Sequence, residues 1–132
     1  LTGDNTFPDA ALIDEFCDAF LAGGARHLVL GDEGVPYGVY AEAISVEALR
    51  ELDQQELSAE EREHVTLALR RRSLHRVFIP TWGSPALASL RATIDTVEDF
   101  VSIASIFAEA SNPLTVPVAE LCERLQRRSV DR

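Results

Sequence analysis

Between residues 9 and 128 the apolar residues of this chain change period several times, and that switching limits the folds open to it. From Asp9 onward, Leu12, Ile13, Phe16, Cys17, Phe20 and Leu21 recur at three- and four-residue spacing, the pattern of one buried helix face. Asp9 is placed to cap this helix, and Gly23 and Gly24 to end it. The next segment, "RHLVL" (26–30), is a short apolar run closed by the turn sequence "GDEG", and reads as a buried strand. "YGVYAEAI" (37–44) alternates loosely and predicts a second strand. Helical spacing then returns: Ser45 caps a short helix through Leu52, and Ser58 with Glu61 forms a capping box for a helix running to about Arg71.

The cycle repeats once more. "LHRVFI" (74–79) predicts a strand ended by Pro80, "PTWGSPA" (80–86) a loop, and "LRATI" (90–94) a further strand. Thr96 and Asp99 make another capping box, for a helix reaching about Ala110. After "SNP", a last amphipathic helix turns Val118, Leu121, Cys122 and Leu125 inward and carries Arg124, Arg127 and Arg128 toward its C-terminal end, where cations are favoured. Strands alternating with helices indicate an α/β fold, and 132 residues fit one domain over 1–132. Several strands are apolar enough to need cover on both faces.

Composition excludes some functions. A net charge of −10 argues against nucleic acid and anionic membrane as partners. Every basic side chain is an arginine, which removes lysine phosphate clamps and Schiff-base lysines. No apolar run approaches the roughly 18 residues that span a bilayer. Cys17 and Cys122 both fall on apolar helix faces and read as buried free thiols, in keeping with a cytoplasmic location. His27 and His75 read as structural or surface residues.

Two aspartates stand where a strand gives way to a loop, Asp4 in "LTGD" and Asp95 in "ATID". In open α/β sheets ligands bind beyond the carboxyl ends of strands, so the two can converge on one site. A pair of carboxylates suits Mg2+, which keeps several waters and takes further ligands from substrate phosphates. Turn or cap roles for the same residues are the alternative. Asp32, in a second Gly-Asp pair, competes for the metal role and ranks below Asp4 because only Asp4 precedes the expected helix.

Taken together, "LTGDNTFPDAALIDEF", "PYGVYAEAIS", "EREHVT" and "LRATIDTVEDF" resemble the C-terminal part of bacterial cytidylyltransferases of the spore-coat-polysaccharide and acylneuraminate type. The family's Thr-Gly-Asp and Leu-Ile-Asp appear as Thr2, Gly3, Asp4 and Leu12, Ile13, Asp14. Its Leu-Arg and Asp-Thr-Pro-Glu-Asp appear as Leu90, Arg91, Asp95, Thr96, Glu98 and Asp99, with Val97 in place of the proline. A proline is also replaced after "EHVT", by Leu67, and another after Gly-Asp, where Asn5, Thr6 and Phe7 stand. In the family's Gly-Leu-Asp-Val-Glu, Gly38 and Glu42 are kept and Tyr40 replaces the aspartate.

The resemblance implies a GT-A or Rossmann-like nucleotidyltransferase fold, three-layered with a mixed sheet, of which this chain is the C-terminal portion. It implies transfer of CMP from CTP to a sugar or sugar acid with release of pyrophosphate. Asp4 and Asp95 would be the catalytic residues that hold Mg2+, and Glu42, Glu63, His64, Thr66 and Arg91 would face the acceptor. The family's N-terminal nucleotide-binding loop is not among these residues, which leaves open a larger enzyme of which this chain is part, a partner chain supplying the nucleotide-binding half, or a non-catalytic binding or assembly module on the same fold; a homodimer is a further possible partner arrangement.

Overall fold

The computed structural model describes residues 5–31, 33–112 and 115–130. Helix α1 (Ala10–Gly23) leads into strand β1 (His27–Leu30), followed by β2 (Glu42–Ile44), α2 (Val46–Asp53), α3 (Ala59–Glu63), α4 (Leu67–Arg71), β3 (Arg76–Phe78), α5 (Pro85–Ala88), α6 (Val97–Glu109) and α7 (Val118–Val130). The strands form a sheet in the order β2-β1-β3. β1 runs antiparallel to β2, pairing His27 with Ile44 and Val29 with Glu42, and parallel to β3, pairing Leu28 with Arg76 and Leu30 with Phe78. The sheet is therefore mixed, as expected.

Alternation along the strands separates two faces. Leu28, Leu30, Ala41 and Ala43 join the main core with Leu12 and Phe16 of α1, Ile103 and Ile106 of α6, and Leu121, Cys122 and Leu125 of α7. On the opposite face Ile44 packs with Leu52, Leu57, Ala68 and Leu69 from the α2–α4 region. The result is helix, sheet and helix in three layers. β1 is buried along its whole length, in line with its continuous apolar run. β3 departs from that expectation: Val77 is 55% exposed and Ile79, just beyond it, 49%, because β3 has a described neighbour on one side only.

Helix ends follow the capping residues closely. Ser45, Ser58 and Thr96 each accept a backbone N–H from the first turn they precede, and both expected capping boxes close. Gly24 ends α1 in the left-handed region at φ 60°. Asp9 serves two helices at once. Its Oδ1 accepts from Leu12 N at 3.0 Å, and its Oδ2 accepts from Val118 N at 2.7 Å, so one carboxylate satisfies free donors at the N-termini of α1 and α7.

Five expectations are corrected. The 37–44 strand is reduced to β2, because Val39 N donates to Pro36 O in a turn and Gly38 sits at φ 98°. A Cβ on Gly38 would lie 2.6 Å from Thr93 N, so glycine alone permits this approach. "LRATI" is extended but makes only isolated bridges, Tyr37 to Arg91 and Asn5 to Thr93, since each neighbour touches it at one point. The helix expected from Ser58 to Arg71 breaks at His64–Thr66: Leu67 N donates to His64 O, and Thr66 begins α4. The "PTWGSPA" loop ends in α5, started by Pro85. Cys122 is buried but Cys17 is exposed, because the α1 stripe centres on Leu12 and Phe16 and Cys17 lies about 100° further round.

Replacing Asp9 removes two caps, each worth about 1 kcal/mol. Asp9→Ala is expected to lower the unfolding free energy of the full chain by roughly 2 kcal/mol in urea denaturation. Asp9→Asn, which keeps one acceptor oxygen, is expected to fall between the two.

Candidate functional site

Two polar clusters stand out, joined by the segment from Tyr37 to Glu42. The first forms where the strand-like "LRATI" segment meets α6. The Asp99 carboxylate closes the Thr96 box and also accepts from Asp95 N at 3.1 Å. Arg91 grips it with both Nε, at 3.2 Å, and a terminal nitrogen, at 3.1 Å, and reaches Asp95 Oδ2 at 2.7 Å. Arg91 hydrogen bonds hold the Asp99 carboxyl far below the usual carboxylate range, over an opposing desolvation cost and with further help from the Asp95 N–H and Thr96. The Arg91 guanidinium also lies 5.1 Å from the centroid of the Tyr37 ring.

Asp95 itself is about half exposed, and among the described residues its carboxylate is bonded through Oδ2 alone. Arg91, Asp99, Ser102 and Arg128 line an open hollow of about 220 Å³ beside this corner. Asp4, the second expected metal ligand, and Asp32, its competitor, lie outside the described residues. Asn5, next to Asp4, bridges Thr93, two residues before Asp95, in antiparallel sense. Among the described residues no group of three metal-ligating side chains occurs. Mg2+ needs only one or two carboxylates besides water and phosphate, and the half-exposed Asp95 carboxylate is a donor of that kind.

The second cluster surrounds Glu42. Its Oε2 lies 3.0 Å from His27 Nε2, its Oε1 accepts from the Tyr40 hydroxyl, and the Thr66 hydroxyl bonds the same carboxylate. Arg70 stands 3.7 Å from Oε1 and 5.4 Å from the Tyr40 ring centroid. Burial alone would raise the Glu42 pKa; hydrogen bonds from Tyr40, Thr66 and His27 outweigh it and the net shift is downward. Glu42 is thus an ionised, half-buried acceptor held on several sides.

The break between α3 and α4 explains part of this geometry. Thr66 makes no side-chain cap on its own helix, and its hydroxyl goes to Glu42 instead. Arg70, one helical turn later, projects from the same face. Glu42 and Thr66, both expected to face the acceptor, are therefore brought together. Glu63 and His64 end α3 with exposed side chains, and Arg91 belongs to the Asp95–Asp99 corner rather than to the Glu42 cluster. His27 and Arg70 were not selected from the sequence. The four-residue spacing from Thr66 was a usable signal for Arg70, whereas His27 reaches Glu42 only through β1–β2 pairing.

The comparisons bear on this arrangement. No family model matches the chain. The spore coat polysaccharide biosynthesis protein SpsF of Bacillus subtilis (strain 168) is 32% identical over 130 residues, a span that covers 96% of this chain and 53% of that protein. A cytidylyltransferase structure from Leptospira borgpetersenii serovar Hardjo-bovis (strain JB197) superimposes with a TM-score of 0.83 at 22% identity, over 98% of this chain and 56% of the other. The chain is SpsF-like in sequence and cytidylyltransferase-like in fold. It spans about half the length of the curated relative it matches. The resemblance carried by the four motifs is borne out, and so is the α/β fold with its mixed sheet.

Against that family pattern, the two helix-start prolines it lacks are cheap losses. Val97 and Leu67 occupy the first helical positions of α6 and α4, where proline is favoured but any residue is accepted. Phe7, in the segment where the third proline is missing, is buried and stacks on Phe107 of α6 with ring centroids 4.6 Å apart. No helix among the described residues is long and apolar enough to cross a membrane.

The Asp99 corner gives an acid-sensitive signature. Because its folded pKa is depressed, its contribution is fully present above the unfolded pKa near 4 and is lost as pH falls toward the folded value. The stability difference between the native chain and Asp99→Asn is expected to be constant from neutral pH to about pH 5 and to shrink below about pH 4, read by urea denaturation at each pH.

Proposed function

We propose that this chain forms the metal-binding and acceptor side of a nucleotidyltransferase that moves CMP from CTP to a hydroxyl of a sugar or sugar acid. The acceptor oxygen bonds to the α-phosphorus while the bond from that phosphorus to the bridging oxygen breaks. Pyrophosphate leaves with the bonding electrons, and the hydroxyl proton is lost to solvent or a carboxylate. The observation that carries the reading is the Asn5–Thr93 bridge. It draws together the chain beside Asp4 and the chain beside Asp95, two motif residues far apart in sequence.

Asp95, with Asp4, would hold Mg2+, which when bound neutralises triphosphate charge and polarises the phosphoryl oxygens. Asp99 fixes the Asp95 backbone, and Arg91 fixes one Asp95 oxygen, so the remaining oxygen keeps a constant direction. Glu42, ionised and acceptor-only, suits a hydrogen bond from an acceptor hydroxyl. Arg70 and Tyr40 beside it add a cation and an aromatic edge at the mouth of the same cluster. In-line transfer needs positioning and charge stabilisation more than covalent help, and these groups provide both.

The test uses the full protein containing this chain, CTP, Mg2+ and a panel of sugar acids and sugar phosphates, with pyrophosphate release as readout. Asp95→Asn is expected to lower turnover by about 10²-fold or more. Stability should change by less than about 1 kcal/mol, because the Asp95–Arg91 pair is exposed. Unchanged turnover would overturn the metal assignment. Absence of any metal-dependent CTP binding would favour the non-catalytic assembly module instead.

A further inference from the structure

His27 is the most deeply buried ionisable side chain in the Glu42 cluster, at 1% exposure, and the proposed function gives it no role. It sits on β1 diagonally across from Glu42, since His27 pairs with Ile44 and Val29 with Glu42. The side chains of His27, Val29, Glu42 and Ile44 therefore share the sheet face that meets α4. Of the groups on Glu42, Arg70 is exposed and Tyr40 and Thr66 are half-buried, so each can turn to an incoming ligand. His27 cannot, because its ring is enclosed by the sheet and by His75, whose ring centroid lies 5.8 Å away.

We propose that His27 is the positioning residue that anchors Glu42 for contact with the acceptor, by donating from Nε2 to Oε2 while Oε1 faces the cluster mouth. The inference rests on the reading of Glu42 as an acceptor contact. The tautomer follows from the bonding. An ionised carboxylate only accepts, so Nε2 carries the proton. Among the described residues, His27 Nδ1 is buried without a protein partner, and so is His75 Nδ1. Tyr40, Thr66, Arg70 and His75 are the other polar groups facing the pair.

In chain terms the arrangement divides labour. The buried donor fixes the rotamer of Glu42 from the sheet side, and the accessible partners shield the carboxylate until a hydroxyl replaces one of them. Loss of His27 would leave a half-buried carboxylate with one hydrogen bond fewer, more easily protonated and freer to rotate.

Four variants of the full protein test this: His27→Leu, His27→Gln, His27→Asn and Glu42→Gln. The glutamine amide reaches the position of Nε2, and the shorter asparagine amide does not. Two readouts are compared, the titration midpoint of the Glu42 carboxyl by carbon-13 NMR and the Michaelis constants for CTP and for whichever panel acceptor turns over. His27→Leu is expected to move the Glu42 midpoint upward and to raise the acceptor KM roughly tenfold, with the CTP KM unchanged. His27→Gln is expected to restore both. If His27→Leu does not fold, the comparison between Gln and Asn carries the test, and only Gln should retain the native values. A Glu42 midpoint that stays in place in a folded Leu or Asn variant overturns the anchoring role, whether or not any acceptor is found. If the midpoint moves but acceptor KM responds neither to His27→Leu nor to Glu42→Gln, the acceptor reading of Glu42 is what fails, and the inference falls with it.

Discussion

The Asp99 carboxylate holds the corner from which Asp95 projects. A strand-like segment ends at Asp95 and a helix starts at Val97, and such a corner leaves backbone donors without partners. Asp99 takes the N–H groups of Asp95 and Thr96 and at the same time a two-nitrogen grip from Arg91. Arg91 belongs to the segment that precedes the corner and lies over Tyr37, so the guanidinium ties the two limbs and a third piece of chain together. An aspartate at position 95 could have been an ordinary cap. It is not, because Thr96 and Asp99 do the capping and leave Asp95 about half exposed, with one oxygen unclaimed among the described residues.

A second carboxylate performs the matching task for the helical layer. Asp9 joins the starts of α1 and α7 across a sequence separation of 109 residues, and both helices pack on the same sheet face. A cap that serves two helices contributes to tertiary structure as well as to helix stability, since it fixes one helix N-terminus against the other. Phe7, two residues before it, stacks on Phe107 and extends the link to α6. The segment that follows Asp4 is thus held by a backbone bridge at Asn5, an aromatic stack at Phe7 and a double cap at Asp9. That is dense anchoring for a connection expected to carry a metal ligand at its start.

Local chemistry was the legible part of the sequence. Asp9, Ser45, Ser58 and Thr96 announce helix starts by residue type and spacing, and the structure uses all of them. The continuous run at 27–30 identified the fully buried strand for a similar reason, since burial on both faces erases alternation. What could not be read depends on partners distant in sequence. Arg91 and Thr93 lie in an extended segment with single bridges, because Gly38 turns its neighbour away at a point that no local pattern records. Val65 and Thr66 carry helix-compatible side chains in a helix-compatible window, yet the chain breaks there and Thr66 bonds Glu42. His27 read as a structural or surface residue, and its burial excludes the surface alternative. Its partner became visible only when the register of β1 on β2 was known.

The replacement of the family's aspartate by Tyr40 has a consistent physical reading in this setting. An aspartate two residues before Glu42 would share the same strand face and put two carboxylates near one another, which raises the cost of ionising both. Tyr40 instead donates to Glu42 and offers its ring to Arg70, so the cluster holds one carboxylate, one buried imidazole, two hydroxyls and one guanidinium. Such a cluster keeps Glu42 charged with fewer competing anions. It also leaves Arg70 exposed at the rim, the cation of the cluster with most freedom to move. Change at position 40 therefore alters which groups hold Glu42 while leaving the carboxylate itself in place.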